Sequence, residues 1–152
     1  MPVLTEAPPA VPAIGRTTAP VAVVRTRPET VVDDYARVMD LAGYRDTLAP
    51  ARDTLLKLNL SWTKYFPSCS SQPWQLDGVL SKLLADGFPR QRLLPLENKT
   101  VVTDPHQGVR NNRWESVLKR HQLGFTALPD VEWQVYRFKS PLLKLNHIFP
   151  EG

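Results

Sequence analysis

The chain has a single cysteine, Cys69, among its 152 residues. One thiol cannot close a disulfide within the chain. It also cannot supply a four-cysteine zinc or iron–sulfur centre, so no iron–sulfur cluster is expected within this chain. That usage fits a reducing compartment, and a cytoplasmic protein is expected. No stretch of about 18 apolar residues occurs, so no membrane-spanning helix and no membrane partner are expected. Neither GxGxxG nor GxxxxGK[ST] is present, which weighs against the common dinucleotide and triphosphate sites. Charge of one sign is scarce as well: the net charge is +4 and the basic residues are scattered. The densest group, Lys119-Arg120-His121, falls where cations face the carbonyl end of a helix. A nucleic-acid partner is therefore not expected.

What the sequence does have is proline, 15 residues of it, with several at the start. From Met1 to Ala19 the composition is Ala, Pro, Thr and Val without a period. Such a stretch buries too little apolar surface to offset its ordering entropy, and a disordered leader over 1–19 is the expectation. It has neither the basic start nor the apolar core of a secretory signal. The remainder has a composition near globular averages, 42% hydrophobic and 22% charged, enough for one packed domain over 20–152.

Within 20–152 the pattern alternates. Val21-Ala22-Val23-Val24 is a β-branched run bounded by prolines. Thr30 to Asp33 has capping-box spacing and leads into a helix through Val31, Tyr35, Val38 and Leu41 that stops at Gly43. Thr54 to Leu60 resembles a strand with Lys57 and Asn59 on one face. Pro73 opens a helix carrying Trp74, Leu76, Val79, Leu80 and Leu83, closed by Gly87. Arg92 to Leu96 reads as a strand. Arg113 to Gln122 reads as a helix capped by Asn112 and Glu115 and stopped at Gly124. Strand-like pieces follow at Phe125–Leu128, Val131–Phe138 and Leu142–Phe149. A βαβαβαβ order predicts an α/β fold, a parallel or mixed sheet with helices on its faces. The last run ends directly on Pro-Glu-Gly and looks interrupted, so the domain is expected to be incomplete at its C-terminus.

The succession Val21-Ala22-Val23-Val24, Lys57-Leu58-Asn59, Ser68-Cys69-Ser70-Ser71 and Gly87 resembles domain-of-unknown-function family 362, a group of bacterial and archaeal proteins. That family has a strand of the Val-Ala-Val-Val type, an apolar strand ending in Lys-Pro-Asn, a Thr/Ser-rich loop and a helix ending in Gly. The resemblance runs from about Val21 to Gly152. Leu58 stands where the family has Pro, so the rigid extended turn after Lys57 is not implied here. Some members carry ferredoxin-type cysteine motifs and are iron–sulfur proteins, a property that this chain's lone cysteine does not allow.

Ligands of open α/β sheets bind outside the carboxyl ends of strands. The candidate ligand-binding residues are accordingly Lys57 and Asn59 at a strand end, Ser68, Ser70 and Ser71 before a helix N-terminus suited to an anion, and Glu97 and Asn98 after the next strand. Asp104 and His106 lie further along the same rim. Their spacing matches no metal pattern, and a turn built on Asp104-Pro105 and Gly108 is the expected role. Trp62, Tyr65 and Phe66 are expected to fold their loop onto the sheet. Cys69 reads as a buried thiol, since no base is paired with it in sequence. Two functions of different class remain open: an enzyme or anion-binding domain that takes a small anionic ligand at this rim, or a non-catalytic binding or scaffold module or truncated remnant without activity.

Overall fold

The computed structural model describes residues 3–4 and 21–136. It forms five strands, β1 (Val3–Leu4), β2 (Thr54–Lys57), β3 (Leu93–Glu97), β4 (Thr126–Ala127) and β5 (Val135–Tyr136). The α-helices among the described residues are α1 (Val31–Leu41), α2 (Pro73–Ala85), α3 (Pro105–Asn111) and α4 (Trp114–Arg120). The chain divides into two compact units, Pro20–Asp130 and Met1–Ala19 with Val131–Gly152. In the smaller unit, β1 pairs in parallel with β5. The rest of the 1–19 leader and the run Leu142–Phe149 lie outside the described residues, as do the last two positions of Val131–Phe138.

The larger unit is an α/β fold. Its sheet has the order β2-β3-β4 with every pairing parallel. Register sets Thr54 and Leu56 beside Leu93 and Pro95, and Leu55 and Lys57 beside Leu94 and Leu96. Neighbouring Cα partners share a face, so the sheet has two unlike sides. Leu56 on the first packs against the core, and Leu93 and Leu58 lie inside it with Leu76, Leu80 and Leu83 of α2 and Trp114, Val117 and Leu118 of α4. On the second, Leu55 is 66% exposed. The strand order explains this. Advancing from β2 to β3 to β4 without reversal, right-handed crossovers put α2 and the α3–α4 pair on the same face. The expected α/β arrangement, a parallel sheet with helices packed against it, is present.

The helix α2 forms as its sequence predicts. Pro73 occupies the first turn, where its missing N–H costs nothing, and Leu76, Leu80 and Leu83 are buried along one stripe. Gly87, at φ +84°, closes it in the left-handed region, and Phe88 N–H reaches back to the Leu83 carbonyl. On another face of the helix Gly78 admits α1. A Cβ there would lie 2.7 Å from both the Val32 carbonyl oxygen and Tyr35 Cβ.

Several local expectations fail for identifiable reasons. Val21-Ala22-Val23-Val24 forms no strand, since no described strand runs beside it. Val24 and Thr26 instead line a hollow of about 210 Å³ with Val31, Asp34 and Trp74. The Thr30 hydroxyl caps no backbone N–H; it donates to Asp34 at 2.7 Å. The strand from Thr54 ends at Lys57, and Asn59 lies beyond it. Asp104-Pro105 opens α3 and not a turn, with the Asp104 carboxylate accepting from Gln107 N–H at 3.0 Å. Its Gly108 leaves room for Leu60, whose terminal methyl would lie 2.4 Å from a Cβ there. The Asn112–Glu115 cap pair is absent: Arg113 takes the N-cap of α4 with φ +61°, while Asn112 donates to the Gly108 carbonyl. Gln122, at φ +57°, ends α4 before Gly124.

Candidate functional site

The expected site residues occupy the carboxyl end of β2 and β3. As strand β3 ends, Glu97 brings a carboxylate into the interior; its side chain is 6% exposed. Burial of a carboxylate is costly unless it is hydrogen-bonded and paired, and here both conditions hold. Its Oε2 accepts Leu60 N–H at 2.7 Å and the Lys57 ammonium at 3.0 Å, and its Oε1 accepts Asn98 N–H at 2.7 Å. Lys57 also donates to the Asn59 side-chain oxygen at 3.2 Å, and its own side chain is 61% exposed. The ammonium is thus anchored from below by a buried carboxylate and open to solvent above. It has three donor hydrogens, of which these two contacts use two.

The serines close the neck of the loop that follows. Asn59 N–H donates to Ser71 Oγ at 3.0 Å, and Ser71 N–H returns to the Asn59 carbonyl at 2.9 Å. Ser61 N–H donates to Ser70 Oγ at 3.2 Å, and Asn59 Nδ2 to Ser61 Oγ at 2.9 Å. Beneath this neck the fully buried Trp114 donates its indole N–H to the Ser71 carbonyl at 2.7 Å. Both hydroxyls, acting as acceptors, still have an O–H to donate. Gln72, not Ser71, is the N-cap of α2. Ser68 is exposed with φ +62°, Cys69 is exposed instead of buried, and Asn98 is exposed with its side-chain oxygen accepting Lys99 N–H.

The structure therefore gathers Lys57, Asn59, Ser70, Ser71 and Glu97 into one hydrogen-bonded cluster with Asn98 at its border. No hydrogen bond joins Ser68 to that cluster. His106 is elsewhere, paired with Asp130 at 3.0 Å. Asp104 caps α3, and the N–H bonds from Gln107 hold its carboxyl below the ordinary range. Among the described residues no three His, Cys, Asp or Glu side chains gather as metal ligands, and no helix is long and apolar enough to cross a membrane. Sequence reasoning missed Ser61, which helps close the neck of the loop, and Asn112 and Trp114, which tie the loop to α3 and α4. The Asn-Asn-Arg-Trp run at 111–114 was the available signal. Because β2-β3-β4 does not reverse, the cluster is a strand-end rim and not a switch-point crevice.

No family model matches the chain, and no curated protein or solved structure matches it.

Proposed function

We propose that the chain is a small-ligand-binding α/β domain of the family 362 kind, working in the cytoplasm. Its ligand would present one carboxylate or phosphate to the rim of Lys57, Asn59, Ser70 and Ser71. The observation that carries this reading is the asymmetry of the ion pair: a carboxylate only 6% exposed holds an ammonium that remains 61% exposed. Pairing for stability alone would not require the cation to stay in solvent, where an ion pair contributes little. The N-terminus of α2 adds a favourable dipole near the same serines. Since Glu97 already balances Lys57, the rim suits a singly charged group better than a multiply charged one.

A scaffold role is the second reading, supported by the same hydrogen bonds seen from the other side. The N–H groups of Asn59, Leu60 and Ser61 all find acceptors within the chain. Thermal denaturation in sulfate, phosphate and acetate separates the two. A ligand binding the native state stabilises it by RT ln(1 + [L]/Kd), about 2.7 kcal/mol at a hundredfold excess over Kd. The ligand reading predicts anion stabilisation that disappears in both Lys57→Met and Asn59→Leu, whose folds are otherwise intact. Equal responses in native and variant chains would leave the scaffold reading.

A further inference from the structure

Two loops beside this rim expose large apolar side chains instead of folding them down. The loop after β2 presents Trp62, Tyr65 and Phe66, and the loop after β3 presents Val101 and Val102. Phe66 is 64% exposed, and Val101, at 104%, is as bare as in a free peptide. The loops are joined. Thr63 Oγ1 accepts Asp104 N–H at 2.9 Å and donates to the Val102 carbonyl at 3.4 Å, while Asn111 Nδ2 donates to the Thr63 carbonyl at 3.1 Å. The Arg113 guanidinium lies 5.3 Å from the centre of the Tyr65 ring, which fixes the far side of the first loop on α4. Exposed apolar side chains grouped on hydrogen-bonded loops cost solvation in the free protein and mark an interaction surface.

The exposed charged residues on these loops and at Arg113 are all basic. Lys64, Lys99 and Arg113 are exposed, whereas the acids on these segments are occupied, Asp104 in capping α3 and Glu97 in the interior. A partner with an apolar layer beneath an anionic surface complements both properties. We infer that the 61–66 and 99–103 loops form a peripheral docking surface for a bilayer containing anionic lipid. Trp62, Phe66, Val101 and Val102 enter the headgroup–acyl boundary there, and Lys64, Lys99 and Arg113 meet the headgroups. Single-stranded nucleic acid fits less well. Valines offer bases no stacking face, and three cations neutralise few phosphates. This surface does not depend on whether the rim holds a ligand.

Sedimentation of the full chain with vesicles tests the inference. Binding is expected to vesicles of phosphatidylcholine with about 30 mol% phosphatidylserine, at least about tenfold weaker to phosphatidylcholine alone, and weaker at high salt. The double variant Phe66→Ser/Val101→Ser should lose about tenfold or more of that binding. Its melting temperature should be unchanged, because neither side chain is buried. Lys64→Glu/Lys99→Glu should abolish the preference for phosphatidylserine. Absence of binding to the anionic vesicles would overturn the inference. So would undiminished binding by the serine variant, or retention of a single-stranded oligonucleotide in preference to the vesicles.

Discussion

Glu97 and Asp86 are two carboxylates with opposite situations, and each makes a distinct prediction. Glu97 is enclosed and accepts two backbone N–H groups and an ammonium. Glu97→Gln removes the charge and turns one acceptor into a donor facing a donor, which should cost about 1–3 kcal/mol in denaturant unfolding. A cost near zero would mean that the Leu60 and Asn98 N–H groups have other acceptors. Asp86 lies at the other end of the fold, where Tyr44, Arg45 and Lys82 converge on it. The Tyr44 hydrogen bond outweighs burial and, with Arg45 and Lys82, brings its carboxyl from 3.8 to about 2. The folded value is below the unfolded one, so this stability is complete above the unfolded value and is lost as pH falls through the folded value. Burial and the same partner push the Tyr44 hydroxyl up to about 12 from 10.0; its contribution is present below the unfolded value and is lost as pH rises through the folded one. Melting temperature against pH should therefore decline at both ends. Asp86→Asn should flatten the acid limb, and an unchanged acid limb in that variant would assign it to other carboxylates.

At the scale of elements, α2 shows how much was legible in the sequence. Its proline start, its leucine stripe and its glycine stop are each local signals, and all three operate as the spacing predicts. Leu80, fully buried, should cost about 2–5 kcal/mol when changed to Ala, measured by chemical denaturation. Gly78→Ala should cost about 1–3 kcal/mol, because the added methyl meets the Val32 carbonyl oxygen and Tyr35 Cβ, neither of which is the far end of a flexible side chain. If it instead stabilises the chain as helix propensity alone would predict, the α1–α2 approach is looser than described. What was not legible depended on distant partners. Thr30 faces a competing acceptor, Asp34, one turn ahead, so capping spacing did not produce a cap. Val21 to Val24 has strand composition, but a strand requires a neighbouring edge. Asn112 and Trp114 serve a loop that precedes them by 50 and 43 positions, a relation no local window contains.

For the whole molecule, the packed and open faces of the sheet follow from one topological fact, the unreversed order β2-β3-β4, which element order along the chain did not determine. The rim at the carboxyl ends was partly legible. Lys57, Asn59 and Glu97 were placed together by strand ends alone, and the structure brings them within hydrogen-bonding distance. The serines were read as donors to a ligand, but their oxygens first accept the N–H groups that close the loop. Amide chemical shifts during a phosphate titration report on anion binding at the rim. The ligand reading predicts saturable shifts at Asn59, Ser70, Ser71 and the first amides of α2, and no such shifts in Lys57→Met. Shifts spread evenly over exposed lysines, or a Lys57→Met variant that responds like the native chain, would contradict it.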